Sequence, residues 1–213
     1  MEDFKLKETS PSNYKISRMN SLDIKDVACI HLNNFTSSGS FLGIKFLEEK
    51  FKWISINDNM IAFVLRFNDK VAGYVYGRHK GYKKKTYKVI FRNLFFIKNP
   101  VRVILFFSIK ANQRFLTLVN KVFSCKKKRP NNINNIHAGQ IAHIDVLAVD
   151  EQYRGKGFGS ALIKAFEQEA KKKSPLYIYV STEKNRISAQ QLYEKNGFKR
   201  SGKSEYSYYK NLK

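Results

Sequence analysis

The order of predicted elements indicates an α+β fold, and three observations support this. The 213-residue chain is 43% hydrophobic and 14% aromatic, values typical of a globular protein with a substantial core. Two β-rich runs meet at a short polar turn, which predicts a hairpin. The C-terminal half then alternates strand, glycine loop, helix, strand and helix. We therefore expect a single domain over residues 1–213.

The N-terminal half is predicted from alternation, a helix cap and the hairpin. Ser21 precedes two aspartates and is placed to cap a helix, since its hydroxyl can accept an N–H bond and acids suit a helix N-terminus. Asn68-Asp69 supplies the turn of the hairpin. The expected elements are strands at 14–19, 60–67 and 71–78 and helices at about 21–34 and 42–53.

The periodicity is clearest after residue 140. A mostly apolar run predicts a buried strand over 141–149. In the helix predicted over 157–172, Phe158, Leu162, Phe166 and Ala170 recur every fourth residue and form one buried stripe. Asn196-Gly197 is a favoured helix stop. The other expected elements are a short buried strand at 176–181, a helix at 187–195 and a closing strand at 205–210.

Positive charge is concentrated in one part of the chain. The net charge is +23, yet residues 70–144 hold seventeen Lys and Arg and no acidic residue. Such concentration indicates a local feature. Pro100 could open a helix within it, and we expect two basic amphipathic helices in an insertion at about 79–138.

Cysteine usage and hydropathy favour a cytoplasmic protein. Cys29 and Cys125 show no metal or redox spacing, and no secretory signal is evident. The most apolar stretch, 89–109, is interrupted by charged residues and a proline, which disfavours a membrane-spanning helix.

A glycine loop lies between the predicted strand and helix. Gly155, Gly157 and Gly159 permit unusual backbone angles and close approach of amides to an anion. The first turn of the helix adds unpaired N–H groups and a positive dipole end. Arg154 and Lys156 add countercharge. The pattern predicts an anion site, although a simple tight turn would show the same glycines.

Residues 147–160, LAVDEQYRGKGFGS, resemble the acetyl-CoA motif of the GNAT N-acetyltransferase superfamily, written Gln/Arg-x-x-Gly-x-Gly/Ala. Arg154, Gly157 and Gly159 stand at its three named positions. Residues 185–198, NRISAQQLYEKNGF, are similar to the second segment that the superfamily shares. With two linked motifs in the right order, the chain is identified as a member of this superfamily, with close resemblance over about 140–200.

The resemblance implies a three-layer GNAT fold with a central mixed, mostly antiparallel sheet flanked by helices. The basic insertion departs from the family's minimal pattern. The resemblance also implies acetyl-CoA as co-substrate, no metal, and direct transfer of the acetyl group to a primary amine. The motif strand would run beside the pantetheine arm, and the loop amides would hold the pyrophosphate. The implied cofactor-binding residues are Leu147, Ala148, Val149, Arg154, Gly155, Lys156, Gly157, Phe158, Gly159, Ser160 and Asn185.

Two other phosphate sites fit the sequence poorly. A Rossmann dinucleotide site is disfavoured because one strand–helix–strand follows the loop and no acid stands at a clear ribose-binding position. A Walker loop is excluded because no Gly-Lys-Ser/Thr follows at the required spacing.

Tyr193 matches the family's tyrosine near the sulfur, which implies a general acid for the departing thiolate. A phenol with a pKa of about 10 can protonate a thiolate whose free thiol has a pKa near 8.5, if the two lie close. The structural alternative is that Tyr193 packs between helix and sheet.

His143 and Asp145 stand two apart on the motif strand and are expected on one face of the sheet. A polar pair in an apolar strand is costly unless partnered or functional. The spacing is similar to a histidine pair in the arylalkylamine branch of the superfamily, with aspartate replacing the second histidine. His143 is the candidate base, with Asp145 orienting it or binding the substrate ammonium. Alternatively, the pair stabilises the sheet or positions the substrate.

Three interpretations of the basic stretch at 79–129 stay open. It could form a helical cap over the substrate cleft. It could contact an anionic membrane surface or a phosphate-bearing substrate, since basic amphipathic helices with aromatic residues behave this way. Contact with RNA or ribosomes is the third, and no RNA-binding motif supports it.

The expected acceptor is an amino sugar on a nucleotide or lipid carrier. Two alternatives are a ribosome-associated protein N-acetyltransferase and a non-catalytic coenzyme A-binding protein. The sequence does not indicate the oligomeric state.

Overall fold

A seven-stranded sheet organises the chain in this computed structural model, which describes residues 13–35, 43–82, 140–201 and 206–212. Two turns of 3-10 helix, Ser21–Asp23 and Glu151–Tyr153, precede α1 and α3. The strands are β1 Tyr14–Arg18, β2 Met60–Phe67, β3 Lys70–Arg78, β4 Ile141–Val149, β5 Tyr177–Ser181, β6 Lys199–Arg200 and β7 Ser207–Asn211, and the helices are α1 Ile24–Asn34, α2 Ile44–Ile56, α3 Phe158–Lys171 and α4 Ile187–Lys195.

The strand order in the sheet is β1-β2-β3-β4-β5-β7-β6. The β4–β5 pair is parallel and the other five pairs are antiparallel. A parallel pair needs a crossover connection, which α3 supplies. The mixed, mostly antiparallel sheet agrees with the expectation from the sequence.

The start of the first helix differs from the prediction. Asn20, not Ser21, is the cap: its side chain accepts from the amide of Leu22 at 2.9 Å, and its own amide donates to Asp23 Oδ2 at 2.8 Å. This reciprocal arrangement is a capping box, in which the aspartate three residues on completes the cap. Ser21 therefore begins the 3-10 turn that leads into α1.

The β2–β3 hairpin is confirmed. Asn68 and Asp69 both have positive φ, at 51° and 61°, as a tight hairpin turn requires and as Asn and Asp tolerate. Phe67 pairs with Lys70 across the turn.

The β3–β4 pairing contains an irregularity at Asp145. Gly77 pairs with Ile144 and Tyr76 with Val146, so Asp145 is the extra residue of β4 at a register shift. A Cβ at Gly77 would lie 2.0 Å from the carbonyl oxygen of His143. Glycine at 77 is therefore what allows β4 to approach β3 at this point.

Two buried clusters lie on opposite faces of the sheet. The cluster on the α3 face contains the predicted stripe of α3, and Tyr193 and Phe198 join it. The cluster on the other face joins α1 and α2 to β2, β3 and β4. Along β3, side chains alternate between them: Val75 belongs to the α3 face, and Tyr74 and Tyr76 to the α1/α2 face.

The C-terminal elements match their predicted positions to within two residues, and α4 ends where Gly197 adopts φ +81°. The two-residue strand β6 was not predicted. The two basic helices expected in the insertion at 79–138 lie almost wholly in residues 83–139, outside the described residues.

Candidate functional site

The glycine loop has the backbone geometry of an anion site. Gly155 and Gly157 have φ of +78° and +80°, values that L-residues with side chains rarely adopt. Gly157 is the N-cap of α3, and the amide of Ala161 donates to its carbonyl at 3.1 Å. The amides at 158–160 precede that first helical bond, so they have no partner within the helix. They form the donor set that suits a pyrophosphate.

Side chains of the loop fix its position rather than point at a ligand. Phe158 is 1% exposed in the α3-face cluster and packs against Phe67, with ring centroids 5.5 Å apart. Ser160 Oγ accepts from Asn196 Nδ2 at 2.9 Å. A Cβ at Gly159 would lie 2.9 Å from Leu192 Cδ2. The last two contacts tie the start of α3 closely to α4.

The two predicted cations of the loop differ in their contacts. Lys156 is exposed, and its Nζ lies 5.2 Å from the centre of the Phe67 ring. Arg154 Nη2 donates to Asn34 Oδ1 at 2.8 Å, so the arginine reaches the last residue of α1. Both are placed to add positive charge beside the loop amides.

The motif strand leaves one backbone edge beyond its ladder with β5. Pairing of β4 with β5 ends at Ile144, opposite Val180, whereas pairing with β3 continues to Val149, opposite Gly73. The β5-side edge of β4 over 145–149 therefore extends beyond the β4–β5 ladder. Of the predicted residues here, Ala148 is buried on the α1/α2 face, and Leu147 and Val149 pack on the α3 face. Their side chains anchor the strand and leave its backbone for a ligand.

Tyr193 lies in the core at the α3–α4 junction. It is 5% exposed and contacts Phe198 and Tyr208, with ring centroids 5.7 and 5.9 Å away. Burial raises its pKa above the usual value of 10, and the charge of Arg186 opposes that rise. The phenol is therefore protonated at neutral pH. The ring of Tyr193 therefore packs in the core, as the structural alternative predicts.

Arg186, which the sequence did not single out, contacts α1, and it follows Asn185, a predicted cofactor-binding residue. Asn185 is exposed. Arg186 Nη2 donates to the carbonyl of Asn34 at 2.8 Å, and its guanidinium lies 4.5 Å from the centre of the Phe35 ring. Arg154 and Arg186, from two separate loops, thus meet at the C-terminal end of α1. Only the tertiary fold brings these residues together.

The pair on the motif strand is split between two partners. His143 packs edge-on against Tyr179 of β5, with ring centroids 5.5 Å apart. Asp145 accepts two bonds from Arg78 of β3, from Nε at 2.8 Å and from Nη2 at 3.1 Å. The carboxylate expected to orient His143 is therefore held by an arginine that the sequence did not mark.

Neither a metal site nor a membrane-spanning helix is found in the part of the chain that the structure describes. No group of three or more His, Cys, Asp or Glu residues is gathered there to hold an ion. Its helices are also too short or too polar to cross a bilayer.

The sequence profile of the Acetyltransferase (GNAT) family matches residues 28–198. The chain belongs to the GNAT acetyltransferase family. Enzymes of this family use acetyl-CoA, and the loop at 154–160 has the features that fit a coenzyme pyrophosphate. The fit rests on the loop's positive φ angles, the helix amides without intrahelical partners and the β4 edge beyond its ladder with β5. No curated protein matches the sequence.

Solved structures share the fold at low identity. PaiA N-acetyltransferase from Thermoplasma acidophilum, in complex with coenzyme A, is 12% identical with a TM-score of 0.56, over 93% of this chain and 99% of that one. An N-acetyltransferase from Staphylococcus aureus Mu50 is 17% identical with a TM-score of 0.58, over 95% of this chain and 100% of that one. At such identity the likeness establishes the GNAT architecture alone.

Proposed function

We propose that this GNAT protein is an N-acetyltransferase that moves the acetyl group of acetyl-CoA to a primary amine by direct attack. The observation that carries the proposal is the joint placement of an anion loop, an open strand edge and a buried phenol on α3, β4 and α4. The thioester supplies an activated acetyl group when the coenzyme is bound. The remaining requirements fall to protein groups, which must hold the coenzyme and move two protons.

In this proposal the coenzyme lies along the edge of β4 over 145–149, beyond the ladder with β5. The amides at 158–160 and the cations Arg154 and Lys156 hold the pyrophosphate. Backbone groups of Leu147 to Val149 lie along the pantetheine arm. Ser160 and Phe158 act through the loop, because their contacts with Asn196 and Phe67 fix its position.

The proton steps are assigned to His143 and Tyr193. As the amine nitrogen bonds to the acetyl carbon, the C–S bond breaks. The nitrogen gives up its proton to the His143 imidazole, and the departing sulfur receives a proton from the Tyr193 hydroxyl. The raised pKa of Tyr193 keeps its hydroxyl protonated at neutral pH, as a proton donor must be.

The acceptor we propose is an amino sugar carried on a nucleotide or lipid phosphate. The support is compositional and local. Residues 70–144 carry seventeen basic and no acidic residues, which complements a phosphate-bearing substrate. Beside His143, Tyr179 and its pairing partner Tyr209 lie on the sheet face opposite Ile178 and Tyr208, which belong to the α3 cluster. Flat aromatic rings suit the apolar face of a sugar.

The test is an acceptor panel with acetyl-CoA. Thiol release would be followed with UDP-linked amino sugars, glucosamine phosphate, glucosamine and an alanine-terminated peptide, and products confirmed by mass spectrometry. We expect acetylation of a phosphate-bearing amino sugar, with free glucosamine much slower. Faster turnover of the peptide would replace the acceptor class. Coenzyme A binding without thiol release on any amine would refute catalysis and favour a binding protein.

A further inference from the structure

The face of β4 that lies away from α3 contains a buried ion pair that the sequence motifs do not mark. Arg78 of β3 binds both carboxylate oxygens of Asp145, and the two side chains are 9% and 6% exposed. A guanidinium with two parallel bonds to a carboxylate has a fixed geometry that lysine cannot reproduce. Arg78 Nη1 also donates to the carbonyl of Tyr82 at 3.1 Å. One side chain thus holds two separate segments.

This pair lies beside the candidate base. Arg78 is the residue directly opposite His143 in the β3–β4 register, and such partners have Cβ atoms about 5 Å apart. Asp145 is the extra residue at the register shift, two positions along β4. Among the residues that the structure describes, three titratable side chains from three strands share the sheet face of His143: Arg78 of β3, Asp145 of β4 and Tyr179 of β5, whose ring is in contact with the imidazole.

We infer that Arg78 is a positioning residue whose ion pair with Asp145 sets the charge balance at His143. This rests on the proposed function, in which His143 takes the proton of the amine. Paired, the two charges largely cancel at the imidazole. An unpaired carboxylate would favour the protonated imidazole, and an unpaired guanidinium the neutral one. Arg78 thereby holds Asp145 at a fixed place beside His143 and compensates its charge.

The decisive experiment measures the titration of His143 by NMR in the full-length protein without acetyl-CoA or acceptor. The His143 signal is assigned with H143Q. We expect R78M to raise the titration midpoint by about one pH unit, because one uncompensated charge acts across roughly 7 Å. D145N should lower it by a similar amount. The double variant R78M/D145N should return it close to the wild-type value.

Each result decides the inference. Opposite shifts in the single variants, cancelled in the double variant, support it. Midpoints that do not move, or that move in the same direction, overturn it. If R78M does not fold, D145N still shows the direction of the midpoint shift, and the double variant still shows whether the two charges cancel. R78K, which keeps the charge but loses the two-bond geometry, should leave the midpoint near wild type while lowering kcat more than it changes KM for acetyl-CoA.

The acceptor panel separates this inference from the proposed function. A wild-type protein that releases no coenzyme A with any amine would end the proposed function. The charge coupling at His143 is read from the NMR titration alone, so it would stand or fall on its own.

Discussion

The two faces of the sheet bury similar apolar clusters but differ in their buried polar groups. On the α3 face the cluster sets the glycine loop through Phe158 and α4 through Tyr193. On the α1/α2 face, polar groups are buried in pairs. His31 Nδ1 lies 2.5 Å from Tyr74 Oη, and Arg78 binds Asp145. The glycine loop is thus supported by apolar packing, and Asp145 of β4 by a polar contact with a distant residue.

This difference affects how each face responds to change. An apolar cluster loses stability in proportion to the volume removed. A buried ion pair loses far more when one partner is removed than when both are, because the remaining charge has no compensation. Mutations of the α3 face should therefore change stability and coenzyme binding, and mutations of the other face should change charge and acceptor chemistry.

The largest expected effect is on the α3 face, where we propose a chemical role for one hydroxyl within an apolar cluster. Y193F should lower kcat by roughly 100-fold, as expected when a general acid is lost, while the affinity for coenzyme A measured by calorimetry persists. Y208F is the matched control, because Tyr208 lies in the same cluster with its ring 5.9 Å away. Equal turnover of Y193F and wild type would remove Tyr193 from the mechanism.

The next largest effect concerns the close approach of the β4 backbone to the β3 backbone within the sheet. G77A would place a Cβ 2.0 Å from the carbonyl oxygen of His143, and G73A a Cβ 2.8 Å from that of Ala148. We expect G77A to lower the free energy of unfolding by about 3 kcal/mol and G73A by less, since neither backbone can move freely. Chemical denaturation measures both. Equal losses of the free energy of unfolding would mean that the register shift at Asp145 does not bring the two backbones closer at Gly77 than at Gly73.

A third prediction separates backbone strain from coenzyme binding. Gly157 and Gly197 have nearly the same φ, +80° and +81°. G157A and G197A should each lower stability by about 1 kcal/mol, because alanine is disfavoured at such angles. G157A alone should weaken coenzyme A binding, by roughly tenfold, since it disturbs the amides at the α3 N-terminus. If G197A weakens binding equally, the loop at 154–160 has no special part in it.

The smallest effect concerns a titratable group buried at the end of the sheet. Burial first, and then the charge of Lys173, lowers the pKa of His79 from 6.5 to about 4, with Arg18 and Lys172 adding to the shift and Glu169 opposing it. Because the pKa of His79 is lower in the folded protein than in the unfolded chain, folding favours the neutral imidazole. The free energy of unfolding is therefore highest above about pH 6.5 and decreases as the pH falls towards 4.

Thermal melts of wild type and H79Q between pH 7.5 and 4 test this. Wild type should lose about 1 kcal/mol relative to H79Q over that range, less than the full linkage value because the lysine charges are screened by solvent. Parallel pH dependence of the two proteins would contradict a depressed pKa.

Much of the candidate site was predictable where local rules act. The strand at 141–149, the stripe of α3 and the positive-φ glycines follow from periodicity and from the conformational freedom of glycine, which depend on near neighbours in the chain. The first helix cap was assigned to Ser21 because its sequence context also fits a cap. Asn20 takes the cap position because the Asp23 carboxylate accepts a hydrogen bond from the Asn20 amide.

The polar contacts around the site could not be predicted in the same way. Arg78 and Asp145 are 67 residues apart, and Arg186 and Asn34 are 152 apart. No local pattern favours one such pair over the many others that a chain with forty Lys and Arg offers. His143 and Asp145 were expected on one face from their spacing, but only the register of β3 shows that Arg78 holds the carboxylate.

The sequence by itself determined the GNAT fold, the glycine loop and the place of Tyr193 in the second motif, because these depend on periodicity, glycine angles and linked motifs within a short span. Only the tertiary structure decided the partners: Asn34 for Arg154 and Arg186, Arg78 for Asp145, and Tyr179 for His143. The physical reason is that backbone preferences are local, whereas a buried charge is satisfied by whichever side chain the completed sheet brings within hydrogen-bonding distance.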